Sequence, residues 1–285
     1  MPDVVSFARS KGWFQGKDAD FSWKMAYAKP DFSGRRFCDA RAWSMLNHFY
    51  DMTPYLDWAL GKNPDAQDMP LWVVPNKKVS VQDVENVMRD HYEGTPLSVA
   101  DGSDIGGGIW QMPYRPTPLT FKVDGKQCFN ERPVSTQQSG FVYVSQMRSW
   151  LPREIGGVLW FGNDDANMVA FTPIYCSSTV RPECYNTPGA DAVTFSDKNA
   201  YWVCNMVSNM VYPRYSQLFP SLKEVRDSLD NSYFAAQKQV EDKALELYAQ
   251  NPQQAVKYLN DYGVEKAQQM LGCWKQLHTY LVVKY

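Results

Sequence analysis

The sequence predicts an α+β fold, and three observations carry that prediction. Short apolar runs separated by turn residues fill the middle of the chain, from about residue 71 to 176. Segments with helical spacing of apolar residues gather towards the two ends, above all over 199–285. The central runs are too continuously apolar to face water on both sides, so helices are expected to cover at least one face of the sheet they build. A chain of 285 residues has ample capacity for such a core, as one large domain or two modest ones.

The elements follow in order. Met1 to Trp13 holds a short helical pattern with Asp3, Arg9 and Lys11, and lacks the basic start, apolar stretch and cleavage site of a signal peptide. Export would therefore require a signal upstream of these residues; the compartment is left open. Cys38 to Tyr50 reads as a helix with Ala42, Met45, Leu46 and Phe49 on one face. Gly61 to Pro70 is a polar loop, and Leu71-Trp72-Val73-Val74 a short strand bounded by prolines. Val81, Val84, Val87 and Met88 recur at helical spacing, and Gly94 is expected to supply the left-handed turn that closes that helix. Ala100 to Gly108 is a Gly/Asp/Ser-rich loop; its three glycines are followed by no lysine at phosphate-loop spacing.

Leu119–Val123 and Lys126–Phe129 flank Asp124-Gly125, a favoured hairpin turn. Phe141–Val144 leads into Ser145–Arg148. Gly157–Phe161 and Met168–Thr172 flank Gly162–Ala166 and predict a second hairpin. Asn199 to Met210 is apolar on every side, so a buried helix is expected. Ser221, with Glu224 three residues on, predicts an N-cap and capping box for a helix reaching about Gln250. Pro252–Tyr262 and Val264–Tyr285 follow as helices, and the charges between Lys238 and Glu246 are expected to face solvent.

Composition excludes several classes. A net charge of −2 and a pI near 6.0 leave no electrostatic footprint for nucleic acid or an anionic membrane. The longest apolar runs, such as Gly156–Gly162, are too short to span a bilayer. Neither nucleic acid nor membrane is expected as a partner, while a homo-oligomer remains open. The 10 Trp and 17 Tyr suit either a large core or an aromatic-lined cleft. The six cysteines show no zinc spacing and His48, His91 and His278 are scattered, so no metal and no cofactor is expected. Cys176 and Cys184 flank a loop and fit either a disulfide or two free thiols.

Charge is densest in Arg89-Asp90-His91-Tyr92-Glu93-Gly94-Thr95. His91, between Asp90 and Glu93, reads as either a poised base or a structural hydrogen-bond hub. Arg89 and Glu93, four apart, can brace a helix end.

Several segments together resemble the dipeptidase A family of N-terminal-nucleophile cysteine peptidases, relatives of the secernins. They are Gly12-Trp13-Phe14, Arg41-Ala42-Trp43, the Arg89–Thr95 run, Ser145-Gln146-Met147-Arg148-Ser149-Trp150-Leu151-Pro152, Gly156-Gly157-Val158-Leu159-Trp160-Phe161-Gly162, Thr172-Pro173-Ile174-Tyr175 and Asn199-Ala200-Tyr201-Trp202. The resemblance covers what looks like the C-terminal half of a family member. It implies part of an αββα sandwich and dipeptide hydrolysis by a cysteine whose own α-amino group is the base. None of the six cysteines here stands in the family's nucleophile position, so the catalytic residue is expected in an N-terminal portion outside this chain. That portion is then a partner, and the chain alone is expected to be inactive.

A dipeptide substrate presents a carboxylate and an ammonium. Arg89, Arg115 and Arg148 are the candidates for the first. Asp90, Glu93, Asp164 and Asp165 are candidates for the second. Asn163 and Asn199 are possible oxyanion donors, equally explained as a turn residue and a helix cap. The alternative reading is a non-catalytic binding module that keeps the scaffold. A third, carbohydrate binding, rests on Trp110, Trp150 and Trp160.

Overall fold

Two units make up the chain, Met1–Lys77 and Lys78–Tyr285. A computed structural model describes residues 3–100, 105–115, 120–129 and 131–285. Residues 101–104 of the predicted loop 100–108, and Leu119 of the first predicted hairpin, lie outside the described residues.

The first unit is helical: α1 Val4–Ser10, α2 Trp23–Tyr27, α3 Phe32–Gly34, a π-turn Arg35–Asp39 running into α4 Ala40–Asn47, and α5 Leu56–Leu60. Two tryptophans are buried at its centre. Trp43 donates to the Met52 carbonyl at 2.7 Å, and Trp58 donates to Asp39 at 2.6 Å while the Arg35 guanidinium lies 3.8 Å over its ring. The expected face of α4 is rotated: Ala40, Trp43 and Ser44 are buried and Ala42 is exposed, because the π-turn shifts the register of the helix it feeds. Leu71–Val74 forms no strand. It pairs with no strand among the described residues, and Leu71 is 97% exposed.

The second unit is α+β. It opens with α6 Val81–Met88, at the predicted bounds, entered through a capping box in which Ser80 and Asp83 satisfy each other's backbone N–H. Gly94, although left-handed at φ 72°, lies six residues past Met88 and does not close the helix. The strands β1 Thr120–Val123 and β2 Lys126–Phe129 form the predicted hairpin, with Asp124 (φ 50°) and Gly125 (φ 75°) both left-handed at its turn. A three-stranded antiparallel sheet, ordered β3-β4-β5, joins β3 Phe141–Met147, β4 Gly157–Asn163 and β5 Thr172–Tyr175; the turn α7 Arg153–Gly156 precedes β4.

The second predicted hairpin is displaced. After Asn163 the chain turns through Asp164 and a 3-10 turn, Ala166–Met168, so Met168–Phe171 is a fully buried plug rather than a strand. Pairing resumes at Thr172, opposite Phe161.

Three helices cover one face of this sheet: α8 Ala200–Val211, α9 Tyr215–Gln250 and α10 Pro252–Lys284. Asn199 caps α8, its Oδ1 accepting the Trp202 N–H. Two expected boundaries are absent. Ser221 is buried inside α9, which runs through Pro220, and its hydroxyl lies 3.3 Å from the Tyr285 hydroxyl. Gly263 interrupts nothing; it lets α10 approach β5 so closely that a Cβ would stand 3.3 Å from the Pro173 carbonyl. Of the charged stretch in α9, Lys238, Asp242, Lys243 and Glu246 face water, but Glu241 is buried with Val240 and Ala244.

Strand alternation separates the sheet's faces. Val142, Val144, Val158, Trp160 and Tyr175 point to the helices, with Trp160 4.6 Å from Phe234 of α9. The opposite face carries Phe141 (61% exposed), Tyr143 and Met147 (63%), beside half-buried Leu159, Phe161 and Ile174.

Candidate functional site

The Arg89–Thr95 run folds inward as α6 ends. Arg89 and Asp90 donate to carbonyls three residues back, and Tyr92 then takes a left-handed conformation at φ 67°. Such a conformation is costly for a residue with a Cβ, by about 1–2 kcal/mol. The Asp90 carboxylate accepting the Tyr92 N–H, and the Tyr92 hydroxyl donating to the Arg132 carbonyl, hold it there. The turn leaves His91 buried and Glu93 at the surface, its side chain 60% exposed.

Glu93 is clasped by His91 at two points. Its Oε1 lies 2.8 Å from Nδ1 and its Oε2 accepts the His91 backbone N–H at 2.7 Å. Partial desolvation pushes the Glu93 carboxyl up, and the hydrogen bonds from His91 outweigh it, holding the group below the usual carboxylate value. The His91 ring stands edge-on to Tyr114 at 4.7 Å, and its buried Nε2 has no hydrogen-bond partner among the described residues. Glu93 also lines a cleft of about 380 Å³, with Gln111, Pro113, Tyr215 and Phe219.

Behind this cleft lies a buried polar layer. Ser135 joins the run to the turn after β4: its N–H donates to the Asp90 carbonyl, and its hydroxyl donates to Asp165. Asp165 also accepts from the Tyr212 hydroxyl at 3.1 Å. Asn167 donates to the Tyr215 hydroxyl at 2.8 Å and accepts from Arg226 at 2.7 Å. Asp164 is wholly buried at φ 84° and accepts from Asn205 at 3.2 Å. Desolvation, reinforced by Asp165, pushes its carboxyl up to about 7 despite those hydrogen bonds. Asn163 precedes it with a buried Oδ1 that has no hydrogen-bond partner among the described residues.

The arginines are committed elsewhere. Arg89 is buried, paired with Asp230 at 2.6 Å, donating to the Ala166 and Val169 carbonyls and lying 4.8 Å over Phe171. Arg115 pairs with Glu131 at 3.1 Å. Arg148 pairs with Glu241 at 2.6 Å and lines a second cleft of about 680 Å³ with Arg153, Glu154 and Cys176. That cleft lies at the start of β4 and Asn163 at its end, six residues or about 20 Å along the strand.

Of the residues expected at a site, Asp90, His91, Asn163, Asp164 and Asp165 belong to this layer or border it and Glu93 faces the cleft in front of it, whereas Arg148 lies at the other end of β4 and Arg115, next to Tyr114, is paired with Glu131. Arg89 reaches the layer through the Ala166 carbonyl, with its charge taken up by Asp230. Ser135, Tyr114, Asn167 and Tyr215 were not legible as members, since no periodicity marks loop residues or a helix start. Arg226 and Asp230, four apart in α9, carried a signal as an i,i+4 pair but turn it inward. Trp160 is 1% exposed and cannot serve as a sugar platform. All six cysteines are free thiols, and no His/Cys/Asp/Glu group among the described residues has the arrangement of a metal site. No helix among the described residues is long and apolar enough to cross a membrane.

Comparison with known proteins gives a consistent picture. Residues 1–228 match peptidase family C69. A probable dipeptidase of Salmonella dublin is 25% identical over 174 residues, covering 61% of this chain and 34% of the relative. Dipeptidase A of Lactobacillus helveticus is 25% identical over 170 residues, covering 60% and 30%. A probable dipeptidase B of Lactococcus lactis subsp. lactis (strain IL1403) is 21% identical over 192 residues, covering 67% and 34%. The chain spans about a third of the length of these curated relatives.

Proposed function

Because the chain belongs to peptidase family C69, we propose that it is one portion of a dipeptide hydrolase whose attacking cysteine lies on another portion of the protein. The match over residues 1–228, through both units, carries this reading. The half-bare sheet supports it. Phe141, Tyr143 and Met147 form an apolar face that a soluble chain rarely leaves uncovered, and a second layer from the remaining portion would bury it.

In the proposed reaction the cysteine thiol gives its proton to its own α-amino group, whose pKa near 8 suits a base at neutral pH. The thiolate attacks the peptide carbonyl. Collapse of the tetrahedral intermediate breaks the C–N bond, and the proton passes to the leaving amine. Water then attacks the thioester and frees the second product and the thiol. This chain would contribute recognition rather than attack, through Glu93 and the layer behind it. The isolated chain would bind without turning over.

A specific observation favours the scaffold-only alternative: Arg89, Arg115 and Arg148 all sit in internal ion pairs. Assays of dipeptide hydrolysis separate the two. Protein of the relatives' full length should hydrolyse dipeptides and lose activity to a thiol-alkylating reagent, while residues 1–285 alone should not. Hydrolysis insensitive to alkylation, or equal turnover by the short chain, would overturn the proposal.

A further inference from the structure

The cleft beside Glu93 has a definite chemical character. Its wall is the stacked pair Tyr215 and Phe219, 4.5 Å apart and 12° from parallel, with Pro113 and Pro220 beside it. Asn167 fixes the Tyr215 hydroxyl and Arg226 lies 5.6 Å over the Phe219 ring, so the wall is held from behind. Glu93 is the one charged residue among the described residues that line it; no lysine or arginine does. The two hydrogen bonds from His91 fix the carboxylate's position. Such a cleft favours a ligand with a positive end and an apolar body, and disfavours an anion.

We propose that this cleft seats the first residue of a peptide, its free α-ammonium on Glu93 and an apolar side chain against Tyr215 and Phe219. The assignment rests on the dipeptide reading above and deepens it. It makes Glu93 the anchor and Phe219 a specificity-determining residue, and it leaves the substrate's carboxylate outside the cleft. The arginines that would otherwise compete for that role are already paired.

Calorimetric titration of the full chain with Leu-Gly, N-acetyl-Leu-Gly and Gly-Gly tests it. Leu-Gly should bind more tightly than its acetylated form by up to roughly fivefold, the scale of a half-exposed ion pair. It should exceed Gly-Gly by on the order of tenfold, the scale set by a few buried methylenes. Glu93→Gln, whose amide oxygen can still accept from His91, should erase the first ratio, and Phe219→Ala should shrink the second. Equal affinity for free and acetylated peptide, or no saturable binding, overturns the assignment, and the unmodified chain alone decides this even if a variant fails to fold. Thiol-dependent hydrolysis by full-length protein with both ratios absent here would sink the cleft and leave the family reading intact. Ratios as expected without any hydrolysis would do the reverse.

Discussion

At the scale of single residues, the chain buries several charged side chains, Glu85, Arg89, Arg226 and Asp230 among them. Arg89 and Asp230 meet at 2.6 Å with both side chains inside the core. Removing one partner strands the other, so Arg89→Met should cost about 3–5 kcal/mol in urea unfolding. A loss below about 1 kcal/mol would mean that the pair is not a structural element. Glu85, wholly buried in the same region, is pushed up to about 9, first by desolvation and then by the charge of Asp230. Unfolded, it ionises near 4.5. Its contribution is therefore fully present below that value and is lost as pH rises towards about 9, because the folded state alone keeps the proton. The slope is at most about 1.4 kcal/mol per pH unit. Unfolding free energies from about pH 6 to about pH 8.5 should fall in the natural chain and flatten in Glu85→Gln; parallel slopes would exclude Glu85 as the cause.

At the scale of elements, helix positions were legible where apolar residues recurred at helical spacing, and less so where packing overrode local signals such as the capping box read at Ser221. The α6 bounds followed from Val81, Val84, Val87 and Met88, and Ser80→Ala should cost about 1 kcal/mol by melting, through the lost cap. Gly263 misled as a break because its reason is tertiary: α10 passes over the Pro173 carbonyl. The two glycines of α10 should then respond oppositely. Gly263→Val should lose about 1–3 kcal/mol by overpacking. Gly272→Ala, where a Cβ meets nothing within 4 Å, should gain up to about 1 kcal/mol in helix propensity. Equal effects at the two positions would show that close approach is not what Gly263 provides. Met168–Phe171 misled in the same way, since an apolar run of strand length reads alike as a ladder strand or a core plug.

At the scale of the molecule, the sheet's two faces set the remaining expectation. Phe141→Lys should leave the melting temperature nearly unchanged, since that residue is 61% exposed, and on the proposal above should weaken association with a separately supplied portion bearing the cysteine in a pull-down. A large drop in melting temperature would mean that the face is already buried. By itself the sequence determined the α+β class, the hairpin at Asp124-Gly125, the helix α6 and the family. All of these are written in local pattern: alternation, helical spacing and turn chemistry. Only the tertiary structure decided that Arg89 and Arg148 are locked in ion pairs, that Glu93 meets a cleft walled by Tyr215 and Phe219, and that Ser135 bridges Asp90 to Asp165. Those partners stand tens of residues apart in the chain. No local periodicity encodes them; they meet because burying apolar surface brings their elements together, and a buried polar group must then find whatever partner lies there.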